Sequence, residues 1–356
     1  MLKSTDQRPT AAHASALRVQ ELGPADVARW DAFVEACPVA TFFHRAGWQT
    51  VIERAFGHST HFLFAEGPNG IEGVLPLARV RSVLFGHSLV SLPFCVYGGI
   101  AARTEEAFVA LDNRARELAR QYRVDYLEYR HMAPYHPGRP TKHLYATFRK
   151  AMAKEVEENL QAIPRKQRRM VRKGIQAGLV SEIDRDTDRF YPIYAANVHR
   201  MGTPVFSRRY FRLLRTVFGN DCRILTVTDA GTPVASVLTF YFRDQVLPYY
   251  GGGTPRAREV AGYDFMYWEV MRRACEAGLR TFDFGRSKRD TGSFSFKKNW
   301  GFEPQPLYYE YDLVRARHMP DINPLNPRYR YFIHAWQRLP LSVANRVGPW
   351  LSRSLG

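Results

Sequence analysis

The 356-residue chain carries the same succession of local patterns twice. His61 to Val80 (HFLFAEGPNGIEGVLPLARV) alternates apolar positions on either side of a Gly-Pro-Asn-Gly turn, and Arg223 to Phe242 (RILTVTDAGTPVASVLTFYF) does the same around Asp229-Ala230-Gly231. Alternation interrupted by turn residues is the pattern of a β-hairpin. Each hairpin precedes a strand ending in a glycine step, Tyr97-Gly98-Gly99 in the first half and Tyr249 to Gly253 in the second. An amphipathic helix follows each step, Phe108 to Tyr122 and Phe265 to Ala277, with apolar residues three and four apart. Each helix then feeds a strand ending in arginine, Asp125 to Arg130 and Thr281 to Arg286.

A hairpin followed by a strand–helix–strand crossover mixes antiparallel and parallel pairing, because parallel neighbours need a long connection. The expected fold is therefore an α+β unit present in duplicate. Between the halves, Met152 to Leu179 reads as two helices separated at Pro164, which holds Ile163 extended. The expected boundaries are 15–150 for the first domain, 151–315 for the second and 316–356 for a basic tail.

With 45% hydrophobic and 24% charged residues the chain is globular, which excludes a disordered or collagen-like protein. Fifty-one Lys and Arg against 34 Asp and Glu leave a formal charge of +17, which favours anionic partners without choosing among them. Cys37, Cys95, Cys222 and Cys275 are far apart, so buried free thiols are expected rather than a zinc site or disulfides. No H-E-x-x-H or cysteine cluster is present either, and no metal is expected. The N-terminal residues lack an apolar secretory core, so a cytoplasmic chain is expected. Ser82 to Ala102 is uncharged, but its Gly and Pro residues indicate two buried strands and a turn rather than a membrane helix.

A glycine step between strand and helix can bring backbone N–H groups to an anion such as pyrophosphate, or can simply make a tight turn. Further chemistry enters with Phe282 to Gly301 (FDFGRSKRDTGSFSFKKNWG). This run resembles the F-D-F-G…G-x-x-x-F-K-x-x-x-G signature of the Fem family of peptidoglycan bridge-forming aminoacyltransferases. Thr41-Phe42-Phe43-His44 with Trp48, Arg168 to Gly178, Gly202 to Arg208 and Tyr267-Trp268-Glu269 are similar to the FemAB-like branch associated with PEP-CTERM and exosortase systems.

The resemblance spans roughly Leu17 to Leu313 and implies two GNAT-like (acyl-CoA N-acyltransferase) domains in tandem, in agreement with the duplication. It also implies transfer of an acyl or aminoacyl group to an amine of a peptidoglycan or exopolysaccharide precursor, linked to a nucleotide or a lipid. Neither the coiled-coil arm of Fem enzymes that use tRNA nor the R-x-x-G-x-G/A loop of acetyl-CoA enzymes is present. The donor stays open between acyl-CoA and aminoacyl-tRNA, either of which would act as co-substrate, with no bound cofactor.

Amide formation requires a deprotonated amine and positive charge where the oxyanion develops. Lys297 matches the lysine of the F-K motif, which implies contact with substrate phosphates or the oxyanion, with Phe296 positioning it. Asp283 could accept a proton or orient a partner, and a salt bridge with Arg286 or Arg280 is the structural alternative. Arg286 sits where open α/β sheets place ligands. Tyr250, Tyr263, Trp268 and Trp300 could line a groove for a sugar or nucleotide, or pack in the core. His44 and Trp48 resemble a first-domain substrate pocket. Six cations from Arg165 to Lys173, Arg172 among them, form a phosphate-binding surface or a solvated helix. By resemblance, Arg208 is placed for a diphosphate.

Beyond Asp321 the chain has no acidic residue, and Tyr329, Phe332, Ile333, Trp336 and Leu339 fall at helical spacing. The tail therefore either packs on the second domain or lies on an anionic membrane surface, which would make the protein peripheral to the inner membrane. Two further readings differ in class: a non-enzymatic glycan or lipid-linked-sugar binding module, and an RNA-binding protein, which rests on charge alone.

Overall fold

The computed structural model describes residues 17–82, 86–320 and 327–354. Residues 83–85 of the uncharged stretch, and 321–326 and 355–356 of the tail, lie outside the described residues, as do the side chains of 327–330. In chain order the first eight strands are β1 (Arg18–Glu21), β2 (Ser59–Gly67), β3 (Gly70–Ser82), β4 (Gly86–Ser91), β5 (Ala101–Ala102), β6 (Tyr126–His131), β7 (Thr141–Lys142) and β8 (Tyr145–Ala151). The next eight are β9 (Val180–Asp184), β10 (Cys222–Asp229), β11 (Thr232–Phe242), β12 (Gln245–Gly253), β13 (Thr281–Asp283), β14 (Ser287–Lys288), β15 (Pro304–Pro306) and β16 (Tyr308–Leu313).

They form two sheets of matching order. The first runs β1-β2-β3-β4-β6-β16-β7 with β5 on β3, and the second runs β9-β10-β11-β12-β13-β8-β14 with β15 on β8. Both expected hairpins are present, β2–β3 and β10–β11, and the second turns through Ala230 and Gly231 with positive φ. Each half contains one parallel pair, β4 with β6 and β12 with β13, joined by the helices Glu105–Gln121 and Gly262–Glu276. The two expected helices between the halves span Val156–Ala162 and Arg165–Gln176, with Ile163 and Pro164 extended between them.

The sixth position of each sheet comes from the opposite half. β16, from the end of the second half, pairs with β6 through Tyr308↔His131 to Leu313↔Tyr126. β8, from the end of the first half, pairs with β13 through Thr281↔Ala151 to Asp283↔Arg149. Residues 145–151 thus belong to the second sheet and 308–313 to the first, and neither half completes its sheet alone.

The halves also share a core. Phe42, from the short turn Phe42–His44, stacks on Phe240 of β11 with ring centroids 4.4 Å apart, and Trp48 lies 5.2 Å from Phe218. Separate apolar clusters sit beneath each sheet, around Leu63, Leu75 and Leu127 in the first and Phe148, Phe282 and Trp300 in the second. All four cysteines are buried free thiols. Among the described residues no helix is long and apolar enough to cross a membrane. The uncharged stretch contributes β4 and β5.

Candidate active site

Parallel strands β12 and β13 pair only at Gln245↔Thr281 and Val246↔Phe282, after which they part. At the same place β12 bulges against β11: Leu238 faces Tyr250 and Thr239 faces Pro248, leaving Tyr249 as the extra residue. A bulge bends its strand and re-aims side chains. The gap between the parted strands opens into a cleft of about 430 Å3 lined by Tyr249, Tyr250 and Gly251 on one side and Phe284, Gly285 and Arg286 on the other. Tyr145 of β8, Tyr309 and Tyr311 of β16, and Glu128 and Arg130 of β6 complete its walls. The cleft therefore depends on both exchanged strands.

Its electrostatics centre on Arg286. The guanidinium lies over the Tyr145 ring at 4.5 Å from the centroid and donates to Tyr309 Oη at 2.9 Å. Arg130 is neutralised by Glu128 at 2.8 Å and also donates to the Cys95 carbonyl. Among the described residues no carboxylate pairs with Arg286, so it is a half-buried cation without a counter-charge. Such a group favours an anionic ligand strongly, since an uncompensated charge out of water is costly.

The segment carrying Arg286 is clamped from two sides. Asp283 is 1% exposed and accepts from the Gly285 N–H at 2.7 Å and Tyr97 Oη at 3.1 Å, with Arg149 Nε at 3.3 Å. Burial pushes its carboxyl above the ordinary value, opposed chiefly by Arg149. Lys297, on the helix Gly292–Asn299, donates to the carbonyls of Phe284, Gly285 and Arg286 at 2.7, 3.0 and 3.1 Å. Burial pulls its ammonium down to about 7, with Asp283 opposing and Arg286 adding to the effect. All three N–H donors of Lys297 are committed to this loop.

The other expected residues divide. Tyr250 lines the cleft and exchanges a hydrogen bond with Tyr210 at 2.9 Å, whereas Phe296 lies behind it against Tyr267 and Trp300. Trp268 is a core residue of the second half. Tyr263 donates to Asn197 Oδ1 and the Gly253 carbonyl. Trp48 is fully buried between the halves, its indole donating to the Phe42 carbonyl. His44 is buried in the same interface, with Nε2 2.8 Å from the Gly99 carbonyl and Nδ1 accepting from the Thr41 N–H; burial holds it down at about 4. Arg172 is exposed on its helix. Arg208 pairs with Asp188 and covers Tyr191, away from the cleft.

The second glycine step differs from the anion cradle considered from sequence. Gly252 and Gly253 lie in β12, where a Cβ would come within 2.9 Å of Asn197 and 2.7 Å of Tyr263. Close side-chain packing requires glycine there, and Gly251 alone of the three faces the cleft. Sequence reading also overlooked Arg130, Tyr145, Tyr249 and Tyr309 as site residues. The arginine ending each repeated strand was the available signal, since Arg130 and Arg286 meet in this cleft.

The acetyltransferase (GNAT) domain family matches residues 161–298, which contain the β12–β13 opening, Arg286 and Lys297. The crystal structure of FemX superposes with a TM-score of 0.65 at 15% identity, covering 82% of this chain and 97% of that one. The C-terminal domain of an Agrobacterium fabrum protein described as a lysylphosphatidylglycerol synthetase gives 0.55 at 14% identity, covering 81% and 91%. A tandem GNAT protein from the clavulanic acid biosynthesis pathway gives 0.50 at 14% identity, covering 83% and 97%. No curated protein sequence matches the chain. Fold and duplication make this a chain of two GNAT-like domains in tandem, of which residues 161–298 match the acetyltransferase (GNAT) domain family.

Proposed function

We propose that the protein is an N-acyl- or aminoacyltransferase acting on an amine of a phosphate-bearing cell-envelope precursor, in peptidoglycan or exopolysaccharide. The observation that carries this reading is Arg286, a cation of the matched GNAT domain without a carboxylate partner, set in a tyrosine-lined cleft that strands of both halves close. In the reaction the acceptor amine attacks the donor's acyl carbonyl and forms the C–N bond. The CoA thiolate or tRNA ribose oxygen leaves, and the amine gives up its proton. Arg286 holds a phosphate or carboxylate of the substrate, for which a planar guanidinium is suited. Tyr145, Tyr249 and Tyr309 supply flat apolar faces with hydroxyl edges for a sugar or base. Lys297 and Asp283 act as positioning residues, fixing the loop that presents Arg286.

The test is a mass-spectrometric screen for amide products, pairing acyl-CoAs and aminoacyl-tRNAs with UDP-muramyl peptides and amine-bearing glycans. The expected result is one donor–acceptor pair that yields product with the wild type and none with Arg286→Ala. Binding of a precursor without turnover on any donor would replace this reading with the glycan-binding module.

The tail supports a peripheral membrane position. Its helices Pro327–Arg338 and Leu341–Ser352 pack inward through Trp336 and Ala344, and Gln337 donates to the Arg200 carbonyl. The outer face exposes Tyr331, Phe332, Val347 and Trp350, the last 59% exposed, beside Arg338 and Arg346. Aromatic side chains next to cations suit an anionic bilayer interface. In cosedimentation with phosphatidylglycerol vesicles the wild type is expected to bind about tenfold more tightly than Trp350→Ser, and neither protein to bind phosphatidylcholine vesicles. Equal partitioning of both proteins would remove the tail from membrane contact.

A further inference from the structure

Opposite the cleft face of the first half, three potential metal ligands converge. His131 ends β6, His136 follows in the next loop, and Glu310 comes from the exchanged strand β16. One ligand atom from each lies within 4.8 Å of the others. His131 is 2% exposed and its Nε2 has no hydrogen-bond partner, although it lies 3.9 Å from Glu310 Oε2. A buried, unpartnered ring nitrogen aimed at a buried carboxylate is costly unless something occupies the space between them.

The surroundings are ordered as a metal's outer shell would be. Glu310 Oε1 accepts from the Tyr135 and His136 N–H groups at 2.9 and 3.3 Å, which fixes the carboxylate and directs Oε2 towards the two imidazoles. His136 Nδ1 is 2.5 Å from Glu310 Oε2, and its Nε2 is 3.4 Å from Asp112 Oδ1. Asp112 is itself held by Tyr129 at 2.7 Å and by both terminal nitrogens of Arg139. A carboxylate behind one nitrogen of a histidine orients the other for a metal.

We propose that His131 Nε2, His136 Nδ1 and Glu310 Oε2 form a Zn2+ site that fastens the exchanged strand β16 to the first sheet. Two imidazoles and one carboxylate are a recognised zinc donor set. In a tetrahedral site with bonds of about 2.0–2.1 Å the ligand atoms stand roughly 3.3 Å apart. The 2.5 Å pair opens and the 3.9 Å pair closes, each by less than about 1 Å, and the two imidazole nitrogens, within 4.8 Å, close by at most about 1.5 Å. The metal replaces the proton between His136 and Glu310, which leaves to solvent. A hollow lined by Phe108, Asp112, Tyr135 and His136 provides the entry path.

The site also accounts for the first glycine step. A Cβ on Gly99 would lie 2.1 Å from His131 Nδ1, so glycine is required for the imidazole to occupy its place. No spacing motif in the sequence marks the site, because Glu310 reaches it only through strand exchange.

The proposal is independent of the transferase reading and is tested without activity. Untagged full-length protein, stripped with chelator, is titrated with Zn2+ by calorimetry. One equivalent is expected to bind, with the thermal midpoint rising by about 4 °C at a hundredfold excess over Kd. His136→Gln and Glu310→Gln are expected to weaken binding by at least about 100-fold. X-ray absorption of the zinc-loaded wild type provides a check free of folding defects, with two imidazole ligands expected. Absence of zinc binding, zinc with fewer than two imidazoles, or undiminished affinity in both variants would each overturn the site.

Discussion

Arg286→Ala is expected to lower kcat/KM for the phosphate-bearing acceptor by about 10²- to 10³-fold, while the protein stays folded. The estimate follows from removing one charged partner of a desolvated ligand contact, which costs roughly 3–4 kcal/mol. Folding is spared because Arg286 has no carboxylate partner that its loss would leave uncompensated, and its stacking partners Tyr145 and Tyr309 are held by other contacts. Arg286→Lys keeps the charge but loses the planar fork, so a loss of about tenfold is expected. Steady-state kinetics on the pair found by the product screen measures both. A change below about threefold in Arg286→Ala would show that the acceptor's anion binds elsewhere.

Lys297→Met should act on the same loop from behind. The substitution keeps the length of the side chain but removes three donors, leaving the carbonyls of Phe284, Gly285 and Arg286 dependent on water. A stability loss of about 2–4 kcal/mol is expected, read as a lowered urea midpoint. Activity distinguishes a positioning role from general weakening. If Lys297 acts through Arg286, acceptor KM rises in Lys297→Met, and the double variant with Arg286→Ala loses little more activity than Arg286→Ala alone. Fully additive losses would mean that Lys297 contributes to the chemistry separately. Unchanged stability would mean that the carbonyl contacts carry no weight.

Local readings of the sequence translate well into structure. The hairpin alternation at 61–80 and 223–242 became β2–β3 and β10–β11, and the three- and four-residue spacing became the helices Glu105–Gln121 and Gly262–Glu276. Side-chain period and turn residues are properties of adjacent positions, so they survive without tertiary information. The Fem-like run at 282–301 likewise directed attention to the loop that holds Arg286 and Lys297.

Individual roles were harder to read. Trp48, His44 and Trp268 carry side chains equally suited to a pocket or a core; the shared interface between the halves placed the first two inside, and the second half's own core took Trp268. Lys297 stood out by motif, but its use as a clamp on three carbonyls depends on the path of a loop eleven to thirteen residues away. Tyr145 and Tyr309 could not be assigned to the site, because nothing local states that β8 and β16 cross to the opposite halves.

The sequence alone determined the duplicated α+β unit, the break at Pro164 and the segment around which the site is built, since each follows from short-range pattern. Tertiary structure decided the reciprocal exchange of β8 and β16, the closure of the cleft by residues of both halves, and the meeting of His131 and His136 with Glu310. The physical reason is that a strand's own pattern fixes which face it buries, whereas its partner is chosen by the open edge that the rest of the chain leaves free.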